Sequence, residues 1–169
     1  TTSLTAEQQE MVELAKNASE KLTTLLGEII DLSKIEAGRI EFHGNDFTMQ
    51  DLISELEMLF KHPAHEKGVK LLTYVSPDMP VSLYGDSSKL RQILFNIVGN
   101  SVKYTEKGYI QLEIKPRMYE GALDRILLTV TDTGIGIPDD AQQAVFDKFT
   151  QVDNSFSRKF QGAGLGLPI

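Results

Sequence analysis

Near the start of the chain, Met11, Ala15, Ala18, Leu22, Leu25, Ile29 and Leu32 recur at alternating spacings of four and three. That rhythm is a heptad seam and predicts one long helix from Thr5 to about Gly38. Leu14, Leu26 and Ile30 widen the apolar stripe beyond the two positions of a simple coiled coil, which suits a bundle of several helices. Packing back onto the core of its own chain is the alternative use of such a stripe. Ala37-Gly38 supplies a C-terminal stop.

Shorter periods follow. IEFHGNDF reads as a short strand, and Met49 to Lys67 as a helix with Leu52, Leu56 and Phe60 inside. KLLTYVS is a strand and VSLYGD a second, short one. Leu90 to Thr105, LRQILFNIVGNSVKYT, places Leu90, Leu94, Ile97 and Ser101 along one side of a helix that Asp86 or Ser87 can cap. Ile110, Leu112 and Ile114 alternate with Gln111, Glu113 and Lys115, so one face of that strand is wet. A turn near Glu120-Gly121 leads to RILLTVTD, its antiparallel neighbour. A short helix begins near Asp139, and the aperiodic polar stretch from Val152 to Gln161 has loop composition. The mix predicts an α+β fold, a two-layer sandwich of a sheet with helices on one face.

The helix from Leu90 carries the first chemical hint. Gln92, Asn96, Asn100 and Lys103 fall opposite its apolar side, one turn apart. A solvated face is the simplest reading, yet Asn is a mediocre helix former and Gly99 costs roughly 1 kcal/mol against Ala. A face that accepts both suggests amide oxygens and a close backbone offered to a ligand. A second hint is parity. Ile126, Leu128, Val130 and Asp132 share a face, so a carboxylate points inward if the apolar residues do, and it then needs a partner. The glycines of DTGIGIP let backbone approach whatever Asp132 holds; equally, Asp132 can cap its own glycine turn. The terminal GAGLGLPI is neither a P-loop, lacking Gly-Lys followed by Ser or Thr, nor a dinucleotide turn, because it follows a polar loop. Glycines leading into a helix N-terminus still suit an anion.

Composition narrows the classes. At 169 residues the chain holds a medium domain plus an appendage. Its net charge of -7, without a basic run, argues against a nucleic-acid partner. Absence of cysteine removes disulfides, thiolate metal sites and thiol catalysis. No apolar run nears the roughly 18 residues of a membrane span and no secretory leader is visible. Both ends look cut, so a soluble piece of something longer is expected.

Taken together and in order, these segments resemble the ATP-binding catalytic domain of sensor histidine kinases, in the Bergerat-fold superfamily that includes gyrase, MutL and the large ATP-dependent chaperones. NIVGNSVKYT is similar to that family's asparagine box, DTGIGIP to its first glycine box, VFDKFTQVD to its phenylalanine box and GAGLGLPI to its second glycine box. LSKIEAGRIEF resembles the junction between the second dimerisation helix and the catalytic domain. FTQVDNS with VGNSVKYT is nearest to kinases that often carry a receiver domain on the same chain.

The resemblance implies a division into residues 1–38, the second helix of the dimerisation domain, and 39–169, the ATP-binding domain without its last helix and strands. It implies that Asn100 ligates a magnesium ion bridging the phosphates of ATP, with Asn96 supporting that network. Lys103 would pair with phosphate and Tyr104 pack against the nucleoside. Asp132 would accept from the adenine amine, in a pocket shaped by Gly134 and Gly136. Gly162, Gly164, Leu165 and Gly166 would line the phosphates at the hinge of an ATP lid, with Arg158 or Lys159 reaching in from the lid. The superfamily's ATPases carry Glu where Asn96 stands; an Asn is no base for water, so transfer to a protein histidine is favoured over hydrolysis. The acceptor box is missing, since none of His43, His62 and His65 is followed by Arg-Thr-Pro. Ala163 and Pro168 depart from the family's usual Thr and small residue. The implied partners are a second copy through the N-terminal helix and a response regulator or receiver domain. The implied location is the cytoplasmic part of an inner-membrane sensor, reaching the membrane only through other segments. A degenerate, non-catalytic dimerising module or a Bergerat-fold ATPase is the alternative.

Overall fold

The computed structural model describes residues 4–119, 122–148 and 166–168. The chain divides into two compact units, residues 41–144 in one and 1–40 with 145–169 in the other.

In the second of these, α1 runs from Ala6 to Glu36. Its start is a reciprocal cap: Gln8 N–H donates to Thr5 Oγ1 at 3.3 Å and Thr5 N–H to Gln8 Oε1 at 3.0 Å. Its end is the predicted stop. Gly38 takes φ +63, its N–H donates to Ile35 O at 3.0 Å, and Arg39 N–H donates to Lys34 O at 2.9 Å, the paired bonds of a Schellman motif. Leu32 is buried, but Met11 is 63% exposed and Leu22 60%, so most of the heptad seam lies bare in the single chain. Glu36 pairs with Lys148 in the same unit.

Residues 41–144 form the layered part. Strand β1 (Asn45–Phe47) pairs antiparallel with β3 (Leu83–Gly85). The strand expected over IEFHGNDF is therefore only its last three residues, because β3 offers only three partners. A second sheet has the order β2-β4-β5, where β2 (Val69–Val75) runs parallel to β4 (Gly108–Tyr119), and β4 antiparallel to β5 (Ala122–Asp132). Helices α2 (Met49–Glu66) and α3 (Ser87–Tyr104) cover one face. Leu52, Ile53 and Leu56 of α2 and Leu94, Val98 and Val102 of α3 close over Ile110, Leu112 and Ile114. Fully burying such side chains stabilises by roughly 1.5–3 kcal/mol each. Phe60 meets Phe95 edge to face at 5.7 Å, and Arg91 Nε reaches Glu55 Oε2 at 2.7 Å, joining α2 to α3.

Three expectations need correction. The buried side of α3 is Leu94, Val98, Ser101 and Val102; Ile97 is only half-buried, because contact with α2 and the sheet rotates the helix past it. Gly99 faces Phe60, where an added Cβ would stand 3.5 Å from the ring, an ordinary contact, so this position packs against α2 instead of opening toward a ligand. The helix expected from Asp139 is a run of turns closed by a 3-10 turn, Ala144–Phe146. Among the described residues no helix is long and apolar enough to cross a membrane.

Candidate functional site

Helix α3 is anchored at both ends. Asp86 is its N-cap: Lys89 N–H and Ser88 Oγ–H donate to Oδ1 at 3.0 and 2.6 Å, and His43 N–H donates to Oδ2 at 3.0 Å. These bonds, Ser88's first and then the His43 and Lys89 amides, lower the Asp86 pKa to about 2. At the other end Lys67 Nζ donates to the carbonyls of Val102 and Lys103 at 2.6 and 3.0 Å, placing a cation where the helix dipole is negative. Sequence spacing gives no sign of this cap, which is made by the residue just past the end of α2.

Between those anchors, the polar stripe of Gln92, Asn96, Asn100 and Lys103 is half-buried. Asn96 and Asn100 stand one turn apart, and Lys103 Nζ lies 4.8 Å from the centre of the Tyr104 ring.

The end of β5 and the DTG loop are stitched to the last turn of α3. Ser101 Oγ–H donates to Asp132 Oδ2 at 3.0 Å, and Gly134 N–H donates to Asp132 Oδ1 at 2.9 Å. Ile135 N–H reaches Tyr104 O at 3.4 Å. Thr133 Oγ1–H donates to Lys107 O at 2.8 Å while Tyr109 N–H donates to Thr133 Oγ1 at 3.0 Å. Gly134 has no room for a side chain: a Cβ would lie 2.8 Å from Tyr104 O, 2.9 Å from Asp132 Oδ1 and 3.0 Å from Thr105 Oγ1. Thr105 is fully buried and its Oγ1 meets no partner among the described residues.

The parity reading of Asp132 is corrected in part. Ile126, Leu128 and Val130 do pack on the core, but Asp132 is exposed: it ends β5, the outer strand of the described sheet, where even those three apolar residues are only half-buried. Its use as a cap of the glycine turn is seen at one oxygen, while the other accepts from Ser101 of α3.

Of the residues singled out from the sequence, Asn96, Asn100, Lys103, Tyr104, Asp132, Gly134 and Gly136 belong to this unit, Gly136 with φ +69. Gly166 belongs to the other unit. Gly162, Gly164 and Leu165 lie outside the described residues, as do Arg158 and Lys159. Ser101 lies on the apolar side that the spacing predicts, and a hydroxyl in a row of Leu and Val is its only signal in the sequence. Among the described residues no three His, Cys, Asp or Glu side chains gather as a metal site.

This geometry can be set beside known proteins. The profile of the family described as "Histidine kinase-, DNA gyrase B-, and HSP90-like ATPase" matches residues 85–169. The chain belongs to that family. The match spans α3, the DTG loop and the terminal glycines. Over its whole length the chain is 38% identical to the sensory/regulatory protein RpfC of Xanthomonas campestris, covering 23% of that protein. It is 34% identical over 99% of its length to the signal transduction histidine-protein kinase BarA of Escherichia coli, covering 18% of it. The crystal structure of full-length ShkA in complex with AMPPNP superposes with a TM-score of 0.80 at 34% identity, over 99% of this chain and 33% of that one. The chain thus spans less than a quarter of the curated relatives RpfC and BarA. It is homologous to sensor histidine kinases, and its mixed α/β fold, with helices packed on a sheet, is that of their catalytic domains.

Proposed function

We propose that this chain is the ATP-binding part of a sensor histidine kinase, which holds magnesium-ATP for transfer of the γ-phosphoryl group to a histidine on a dimerisation domain. The observation that carries this reading is the joint made by Ser101 and Asp132, which sets an exposed, oriented carboxylate against a helix whose polar stripe is Asn96, Asn100 and Lys103. Similarity to RpfC, to the histidine-protein kinase BarA and to ShkA, whose structure holds AMPPNP, supports it.

Each residue has a task. Asp132 accepts from the amine of adenine, while Gly134 and Gly136 keep the loop thin enough for the base to approach. Tyr104 packs against the nucleoside. Asn100 offers an amide oxygen, a hard donor suited to Mg²⁺, and Asn96 one turn earlier supports the same network. Few protein ligands are needed, because Mg²⁺ takes the rest of its shell from phosphates and water. When bound, the ion neutralises phosphate charge. Lys103 pairs with phosphate as a point charge. The amide of Asn96 has no proton-accepting pair at neutral pH, so water near the γ-phosphoryl group is not activated and hydrolysis stays slow.

The bare seam of α1 supports a second copy of the chain as partner, and the net charge of -7 gives nucleic acid no purchase. A response regulator or receiver domain is the expected destination of the phosphoryl group. The setting is the cytoplasmic side of a membrane sensor.

Calorimetric titration with ATP tests the site. Magnesium-dependent binding that Asp132→Ala or Asn100→Ala weakens at least about tenfold, or about 1.4 kcal/mol, supports the reading. Unchanged affinity in both variants overturns it and favours a non-catalytic dimerising module.

A further inference from the structure

We propose that Ser101 is a positioning residue for recognition of the nucleobase: its hydroxyl aims the Asp132 carboxylate at an exocyclic amine, and so favours adenine over purines that carry a carbonyl there. This rests on the ATP-binding reading above.

The other buried positions of α3 are Leu94, Val98 and Val102, so Ser101, 6% exposed, puts a hydroxyl where the helix otherwise offers hydrocarbon. Such a hydroxyl has lost water and must find a partner. It finds one outside its own helix, donating to Asp132 Oδ2 at 3.0 Å. Asp132 is exposed at the end of a strand, where a carboxylate is otherwise free to turn. Here each oxygen is held by a different element, Oδ1 by the Gly134 N–H of the loop and Oδ2 by the Ser101 hydroxyl of the helix. Two donors on two oxygens fix both the direction and the twist of the group.

An ionised carboxylate accepts only, with about four lone-pair positions. After these two bonds each oxygen still has capacity for an incoming N–H. An amine satisfies it; a carbonyl brings a second acceptor and leaves both desolvated without a proton between them. Ser101 directly follows Asn100, so the same helical turn that faces phosphate also sets the angle of the base-reading group.

Affinities of the full chain for ATP and for inosine triphosphate, measured with magnesium by calorimetry, test this. Ser101→Ala is expected to lower ATP affinity about tenfold, the size of one lost orienting hydrogen bond, and to change inosine triphosphate affinity less than about twofold. Ser101→Thr, which keeps the hydroxyl, is expected to retain the wild-type preference. The ratio of the two affinities does not depend on the folded fraction of each preparation. An unchanged ratio in Ser101→Ala, whether both affinities stay or both fall together, overturns the proposal, as does a Thr variant no more selective than Ala. Failure of the wild-type chain to bind ATP overturns the functional reading itself, and with it this one.

Discussion

The backbone N–H of Gly134 donates to Asp132 Oδ1 at 2.9 Å, and the space a side chain at 134 would need is bounded by that same oxygen and by the Tyr104 carbonyl. The carbonyl is part of the α3 backbone and cannot swing away. Gly134→Ala therefore has to move either the loop or the end of α3. A destabilisation of about 1–3 kcal/mol is expected from such overpacking, together with loss of most nucleotide affinity. Thermal unfolding and calorimetry on the one variant check both.

Gly99 gives the opposite outcome on the same helix. Its added Cβ would meet Phe60 at 3.5 Å, an ordinary contact. Gly99→Ala should raise stability by up to about 1 kcal/mol, the helix-propensity difference. A lowered melting temperature would contradict this placement of the residue.

Asp86 makes stability depend on acid. Its folded pKa is lowered to about 2 from an ordinary 3.8, so its contribution is fully present above the ordinary value and disappears as pH falls through the lowered one. Asp86→Ala should melt well below wild type near neutral pH. The gap should narrow as the solution is taken below about pH 4 toward pH 2. A gap of constant size across that range would mean that the three donors around Asp86 do not stabilise its charged form.

How much of this could be read from the sequence follows from what each feature depends on. Strand β4 and helices α2 and α3 were legible because their periods of two and 3.6 are local properties of the chain. The face of α3 was not fully so: apolar residues at 93, 94, 95, 97, 98 and 102 nearly encircle it, and only contact with α2 and the sheet selects Val98 over Ile97. Parity correctly put Asp132 on the side of Ile126 and Val130, but burial depends on which strand lies outermost in the described sheet, and that strand is β5. Gly99 looked like an opening toward a ligand because its helix cost is local, while the neighbour it faces, Phe60, sits on another helix. Lys67 capping α3 and Ser101 holding Asp132 are likewise joints between distant segments. The stripe of Asn96, Asn100 and Lys103 was legible because it lies within one helix.

In the proposed function, Asn96 separates holding ATP from hydrolysing it. Asn96→Glu installs a carboxylate able to take a proton from water, a contribution commonly worth about a hundredfold or more when well placed. ATP hydrolysis without any acceptor should rise at least about tenfold in that variant, measured as released phosphate. A rate no higher than wild type would show that residue 96 does not face the reacting water.

The most direct measurement of the central claim mixes the full chain with γ-labelled ATP, magnesium and a separate histidine-bearing dimerisation domain. The account predicts label on that domain in an acid-labile, alkali-stable linkage, absent when Asp132→Ala or Asn100→Ala replaces the wild type. Rapid phosphate release with no label on the histidine domain would contradict it and place the chain with the ATPases of its family.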